Sequence, residues 1–170
     1  MPPTTTFLLA ANATTTTTTR DDDDVAAAVS DFNIATVGDW GCTSDAEDTV
    51  NNIDSRDPEL ALGLGDYSYK NSADCWFGIV DPIIDKMIIA IGDHEHNVTG
   101  EGENPGLLDE YMNRSGLEKQ YYTYRYGNVF VLVMSQEVPY LNDSKQFDFV
   151  VNSLSKASSD PDVDWIIVAS

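Results

Sequence analysis

Three aspartates, each preceded by glycine and each ending an apolar run, stand at equal spacing along the chain. They are Asp39, Asp66 and Asp93, 27 residues apart in both intervals, and they close the segments IATVGD, LALGLGD and MIIAIGD. A single aspartate at the end of a strand most often shapes a turn or caps a helix. Three in the same position indicate a carboxylate cluster, because the carboxyl ends of parallel strands meet at one edge of a sheet, where ligands bind.

The chemistry that such a cluster favours is metal binding. Hard cations take carboxylate oxygens, and a dinuclear centre needs ligands from several strands, with one carboxylate shared by ions about 3.5–4 Å apart. Asp66, the middle residue of the series, is the natural bridging ligand. Tyr69 follows it in GDYSY. Taken alone, Tyr69 is a surface aromatic residue, but a phenol binds a strongly charged ion such as Fe(III) when that ion displaces its proton.

Two histidines follow the third aspartate directly, in the segment GDHEH. We expect this segment to be an extended loop that turns sharply after Gly92. His94 and His96 should then point in different directions, so that one acts at the site while the other faces solvent.

The elements that must position these side chains read as β-α-β-α-β. The three apolar runs are too continuous for half-exposed strands and are typical of strands covered on both faces, as in parallel sheets. Between the first two runs, Ala46, Val50 and Ile53 follow helical spacing, and this helix should end before Pro58. The second connection, KNSADCWFGIVDPIIDK, favours a helix that Pro82 breaks or kinks.

The rest of the chain predicts a second group of elements. NVTGEGENPG reads as a long surface loop, and LLDEYMNRSG as a short helix ending at Gly116. YYTYRY and VFVLVMS predict a hairpin around the dipeptide Gly127-Asn128. Helical spacing returns from Phe147 to Leu154, and DWIIVAS predicts another buried strand.

Composition places most of the chain among globular proteins and predicts one domain. Its 170 residues are 42% hydrophobic. There are 29 acidic and 9 basic residues, and the resulting formal charge of −20 argues against a nucleic-acid groove.

The first thirty residues, rich in threonine and aspartate, are predicted to be a disordered tail. No apolar run is long enough for a transmembrane helix. The segment FLLAA is a poor signal peptide, and four Asn-x-Ser/Thr triplets permit glycosylation in an exported protein, so the location stays open.

The two cysteines, Cys42 and Cys75, each lie a few residues beyond one of the Gly-Asp corners. A disulfide between them and a pair of free thiols are both compatible with the sequence, which cannot show a pair in contact. Two cysteines without a CxxC motif are weak support for a zinc–sulfur centre.

Three ordered motifs, GDWG, GDYSY and GDHE, resemble the first signature blocks of the calcineurin-like metallophosphoesterases, and the purple acid phosphatase branch most of all. The resemblance runs from about Asp31 to the last residue. It implies an α/β fold, a metallophosphoesterase-type β-sandwich flanked by helices, of which residues 31–170 form part.

The resemblance also implies the roles of the site residues. Asp39 and Tyr69 bind a first metal, Asp66 bridges the two metals and Asp93 binds a second. The expected pair is Fe(III) plus a divalent Fe, Zn or Mn ion, with His94 as proton donor or phosphate ligand.

The chain departs from the family pattern in two ways. Asp93 takes a place usually held by asparagine, which adds negative charge beside the second ion. The later histidine blocks, VxxH and GHxH, are not present: Val168-Ala169-Ser170 matches just the start of VxxH, so we expect the chain to be the front part of such an enzyme.

Two functions remain at this stage. The first is hydrolysis of a small phosphate ester, monoester or diester, by two metals that polarise the phosphoryl group and activate water for in-line attack. The alternative is a non-catalytic, metal-binding fragment or degenerate domain. The chain has no GxGxxG, Walker or Gly-x-Ser-x-Gly motif, which argues against dinucleotide or NTP binding in a glycine-rich cradle and against a serine hydrolase. An aspartyl-phosphate enzyme would leave Asp66, Tyr69 and Asp93 unexplained together.

Overall fold

Two β-sheets pack face to face in the computed structural model, which describes residues 7–9, 32–96 and 106–170. The first sheet has the strand order β1-β2-β3-β4 and the second the order β5-β6-β7. The strands are β1 (Phe7–Leu9), β2 (Ile34–Val37), β3 (Leu60–Gly63), β4 (Met87–Ile89), β5 (Tyr122–Tyr126), β6 (Val129–Val133) and β7 (Trp165–Ala169).

The helices lie in the connections between these strands. They are α1 (Ser44–Arg56), α2 (Asp74–Val80), α3 (Asp93–His96), α4 (Leu107–Arg114) and α5 (Lys145–Ser159), with a 3-10 helix at Asp81–Lys86. No helix in the described part of the chain is long and apolar enough to cross a membrane. The resulting α/β sandwich flanked by helices is the predicted fold.

The predicted β-α-β-α-β start is confirmed. Strands β2, β3 and β4 are parallel neighbours, so their carboxyl ends lie at the same edge of the sheet. Helix α1 ends at Arg56, and its residues Ala46, Val50 and Ile53 are buried as their spacing predicted. Pro82 stands where α2 gives way to the 3-10 helix, because proline cannot donate the hydrogen bond that would continue the α-helix.

Strands β3 and β4 are covered on both faces, as their continuous apolar sequences predicted. Leu60 and Leu62 face the second sheet, where they pack with Val131, whereas Ala61 and Ile89 belong to the core beneath the helices. This alternation follows from the two-residue repeat of a strand. The first sheet is therefore the central layer, and its carboxyl edge is held rigidly from both sides.

The hairpin and the helix before it are confirmed. Residues Gly127 and Asn128 join β5 to β6, and α4 ends at Arg114, just before Gly116. Tyr122 of β5 ties the two sheets together: its hydroxyl donates to the carbonyl of Ile89 at 2.7 Å and accepts from the Ile89 N–H at 3.1 Å. The sequence NVTGEGENPG, predicted as a surface loop, lies outside the described residues except for Gly106.

The predicted strand at the chain's end forms as β7, but the prediction that it is buried was wrong. Trp165, Ile166 and Val168 are 48%, 40% and 52% exposed. Among the described residues β7 pairs with β6 alone, so it is an edge strand, and it stays partly exposed although α5 lies near it. The helical spacing in α5 is likewise confirmed, yet Phe147 and Val151 stay exposed.

The predicted tail of residues 1–30 stays largely a prediction. Within it the structure describes Phe7–Leu9, which form β1 antiparallel to β2, with Leu8 opposite Ala35. The other residues of this segment lie outside the described part of the chain.

Candidate metal centre

The loops after β2 and β3 bring Asp39, Asp66 and Tyr69 together. The Tyr69 hydroxyl lies 2.8 Å from Asp39 Oδ1 and 3.2 Å from Asp66 Oδ2 and can donate to either oxygen. The two loops are also joined through their backbones, since the Trp40 N–H donates to the Asp66 carbonyl at 2.9 Å. Three oxygen groups from positions up to 30 residues apart thus converge on one point.

The same three residues share an unusual backbone conformation. Their φ angles are 52° for Asp39, 56° for Asp66 and 51° for Tyr69. Left-handed backbone is uncommon outside glycine and is tolerated best by aspartate and asparagine. Its concentration at one edge of the sheet is typical of a functional site, where local strain is held in place by the surrounding structure.

The loop after β4 adds Asp93 and His94 to the group. Asp66, Asp93 and His94 each offer one ligand atom, and these atoms lie within 4.8 Å of one another. The imidazole of His94 also packs on the Tyr69 ring, with ring centroids 4.5 Å apart. The structure therefore brings together all five residues that the sequence singled out, with Asp66 common to both halves of the group.

The segment that carries the histidines is a helical turn and not the extended loop that we expected. Helix α3 begins at Asp93, so the sharp turn after Gly92 is present. The different directions expected for His94 and His96 are confirmed, but the reason given for them was wrong: residues two apart share a face in an extended segment and lie about 200° apart on a helix. His94 consequently faces Tyr69, whereas His96 Nδ1 lies 3.4 Å from a carboxylate oxygen of Glu137.

Two of the glycines before the aspartates allow the loops to approach closely. A Cβ at Gly65, which has a φ of 91°, would come within 2.7 Å of the Gly92 backbone. A Cβ at Gly92 would clash with the Asp66 carboxylate and lie 2.7 Å from the Asp66 backbone nitrogen. The Gly-Asp pattern is thus explained by contact between two loops as well as by turning within each one.

Glu95 is a residue of the site region to which the sequence had assigned no role. It is 1% exposed, and its carboxylate accepts hydrogen bonds from the N–H groups of Asp66 and Tyr67, both at 2.8 Å, and of Gly92 at 3.2 Å. The signal available in the sequence was its place as the last residue of the GDHE motif. Nothing in its spacing distinguished it from an exposed charge.

Cys42 and Cys75 form a disulfide, which decides between the two alternatives that the sequence left open. The bond joins the loop after β2, three residues beyond Asp39, to the first turn of α2. A cross-link here restricts the loop that carries Asp39.

Electrostatics at the site favour a cation. Burial, the hydrogen bond to Asp39 and the charge of Asp66 raise the pKa of Tyr69, so that its hydroxyl proton stays in place between the two carboxylates. Burial also raises the pKa of Asp66, and the charge of Asp93 adds to this rise. The protein itself therefore does not fully balance the negative charge of the ionised carboxylates. Three carboxylates, a phenol and an imidazole form a donor set that suits hard metal ions, and an ion of high charge could replace the Tyr69 proton.

The contact between Gly92 and Asp66 leads to a first prediction. Gly92→Ala should reduce the free energy of unfolding by about 1–3 kcal/mol, the usual range for overpacking, and should also displace Asp66. Urea denaturation followed by circular dichroism measures the first effect.

Gly78→Ala is the matched control, since a Cβ at Gly78 meets nothing within 4 Å and the residue lies in α2. That substitution should raise stability by about 0.5–1 kcal/mol. Equal effects of the two substitutions would show that the loop contact is not tight.

Comparison with known proteins gives a consistent result. No protein-family profile matches the chain. The chain is 24% identical over 158 residues to purple acid phosphatase 15 of Arabidopsis thaliana, a match that covers 72% of this chain and 30% of that protein. Among solved structures, purple acid phosphatase PPD1 from yellow lupin seeds superposes with a TM-score of 0.65 at 20% identity, covering 79% of this chain and 29% of that one.

The chain thus spans about 30% of the length of the curated relative. The sequence match to purple acid phosphatase 15 supports the resemblance in sequence, and the match to the solved structure supports the fold. The resemblance predicted from GDWG, GDYSY and GDHE is confirmed: this is a chain with the fold of a calcineurin-like phosphoesterase, similar to the purple acid phosphatases.

Proposed function

We propose that the protein is a metal-dependent phosphoesterase that hydrolyses a small phosphate ester at a dinuclear centre. The observation that carries the proposal is that the Tyr69 hydroxyl lies within hydrogen-bond distance of both Asp39 and Asp66. Asp93 and His94 lie beside Asp66 in the same group. A group of oxygen ligands drawn from three neighbouring loops is what two ions in contact with one substrate require.

Each residue has a proposed role in this centre. Asp39 and Tyr69 would hold the first ion, Asp93 would hold the second, and Asp66 would be shared by both. Two bound cations would neutralise the charge of the phosphate ester and activate water for attack. His94, which packs on Tyr69 at the edge of the group, donates a proton to the leaving group or a hydrogen bond to the phosphate.

The first ion is proposed to be Fe(III) and the second a divalent Fe, Zn or Mn ion. The raised pKa of Tyr69 means that a cation must compete with a firmly held proton before the phenol can bind it. A trivalent ion competes best, because its higher charge stabilises the phenolate more strongly. The second ion would be held by Asp93 and the shared Asp66, carboxylate oxygens that divalent ions accept.

One observation favours the alternative, a non-catalytic domain that binds ions without turnover. The chain contains two histidines, and His96 lies beside Glu137 and away from the carboxylate group. Catalytic centres usually hold each ion with several protein ligands, imidazoles among them. Residues 1–170 by themselves should therefore bind ions weakly and hydrolyse phosphate esters slowly.

The disulfide bears on where the protein works. Disulfides persist in oxidising compartments and are rare in the reducing cytosol. The Cys42–Cys75 bond thus supports an extracellular or secretory location, in which the glycosylation triplets at Asn113 and Asn142 would be usable.

A combined measurement of metal content and hydrolysis tests the proposal. The chain is loaded with Fe(III) and Zn(II) or Mn(II), and hydrolysis of p-nitrophenyl phosphate is followed with and without a chelator. We expect slow hydrolysis that the chelator abolishes. His94→Ala should lower the rate about 100-fold or more with nearly unchanged metal content, since general acid catalysis contributes at least this factor.

His96→Ala is the control and should change the rate little. A His96 variant that is inactive, or a His94 variant with the normal rate, would contradict the assigned roles. Metal binding without chelator-sensitive hydrolysis would favour the non-catalytic alternative, and a chain that binds no ion would refute both functions.

A further inference from the structure

Glu95 is a buried carboxylate that accepts hydrogen bonds from the backbone of two loops. Its oxygen Oε1 accepts from the Tyr67 N–H, and Oε2 accepts from the N–H groups of Asp66 and Gly92. Within residues 32–96 and 106–170, no lysine, arginine or histidine forms an ion pair with it. A buried charge without a counter-ion is costly, so we infer that these three N–H donors stabilise the Glu95 carboxylate in its buried position.

The three N–H donors belong to the loops that carry Asp66, Asp93 and His94. The Asp66 N–H belongs to a residue in left-handed conformation, and Glu95 therefore helps to hold that conformation in place. Gly92 is the last residue before Asp93 and His94. The Asp66 carboxylate in turn lies against Gly92 and is 3.4 Å from the His94 N–H. One side chain thus joins the loop that carries Asp66 to the loop that carries Asp93 and His94.

We propose that Glu95 is a positioning residue of the metal centre, which sets the distance and orientation between Asp66 on one loop and Asp93 and His94 on the other. This inference rests on the proposed function. A carboxylate suits the task because its two oxygens accept all three N–H groups. A glutamine of the same size would direct an NH₂ group toward backbone donors and lose at least one of the bonds.

The test is the affinity of the chain for Mn(II), measured from the electron paramagnetic resonance signal of the free ion. Glu95→Gln should raise the Kd about 10–100-fold, the range observed when a residue that orients metal ligands is replaced. Val50→Ala is the matched control: Val50 is a residue of α1 that is 1% exposed, so the substitution destabilises the fold without changing a proposed ligand or a hydrogen bond of Glu95. Both variants are compared under conditions in which each is fully folded.

A purely structural role for Glu95 predicts that both variants lower the urea midpoint and leave the Kd unchanged. That result would overturn the inference. If Glu95→Gln does not fold, Glu95→Asp takes its place. It keeps the charge but withdraws the carboxylate by one methylene, and it should weaken binding several-fold, whereas an unchanged Kd would again overturn the inference.

Asp66→Asn separates this inference from the function on which it rests. If wild type binds Mn(II) and Asp66→Asn does not, but Glu95→Gln binds as tightly as wild type, the positioning role alone is wrong. If wild type and Asp66→Asn bind equally, or neither binds, the proposed metal centre fails, and the role of Glu95 fails with it.

Discussion

Replacing Asp66 by asparagine or alanine should weaken metal binding by at least about 100-fold, the upper end of what the loss of an indirect, ligand-orienting partner produces. Asp66 is the side chain common to both halves of the group, since it contacts the Tyr69 hydroxyl and lies within ligand distance of Asp93 and His94. Asparagine is the sharper substitution. It removes the charge, keeps the shape and tolerates the left-handed backbone, whereas alanine would add strain at a φ of 56°.

Asp66→Asn should not weaken the fold of the metal-free chain, although it weakens metal binding. Burial raises the pKa of Asp66, which means that its ionised form destabilises the folded state at neutral pH. The sign follows from linkage: a carboxyl with a raised pKa stabilises the fold at low pH, and that contribution is lost as the pH rises through the raised value. Asp66→Asn should therefore leave the free energy of unfolding unchanged or raise it while metal affinity falls.

Isothermal titration with Mn(II) and urea denaturation without metal measure the two effects. Asp48→Asn is the control, because Asp48 is an exposed residue of α1 and the net charge changes by the same amount. Equal affinities of the Asp66 and Asp48 variants would mean that the ions respond to the overall charge of −20 and not to a site.

Tyr69→Phe should abolish the visible phenolate absorption of the Fe(III)-loaded chain. The hydroxyl is the group of Tyr69 that hydrogen-bonds with the carboxylates, and phenylalanine keeps the ring that packs on His94. Affinity for Mn(II) should change far less, because a divalent ion does not readily displace the proton of a phenol whose pKa is raised. The contrast between a lost absorption band and a retained Mn(II) site is the signature of a phenolate ligand.

Tyr124→Phe provides the comparison for this experiment. Tyr124 is 38% exposed on β5, and the chain has eight tyrosines, any of which could bind Fe(III) non-specifically. The absorption should persist in Tyr124→Phe. Its persistence in Tyr69→Phe would exclude Tyr69 as the ligand and leave the first ion to the carboxylates.

Much of the fold could be predicted because it depends on neighbouring residues. Val50 and Ile53 are buried where helical spacing placed them, and Gly127-Asn128 turns the hairpin that flanking apolar runs indicated. Parallel strands reached through helices align their carboxyl ends, so three Gly-Asp corners that each end such a strand were expected to meet. Burial of β7 could not be predicted in this way, since it depends on which strands lie beside it.

The sequence by itself determined which residues would lie together: the three Gly-Asp corners, Tyr69 and His94 all belong to one group. The tertiary structure alone decided how they are held. Only the tertiary structure shows the disulfide, the close approach of Gly65 to Gly92 and the three hydrogen bonds of Glu95. The reason is physical: periodicity is a property of consecutive residues, whereas these contacts join segments about thirty residues apart and depend on how the loops pack.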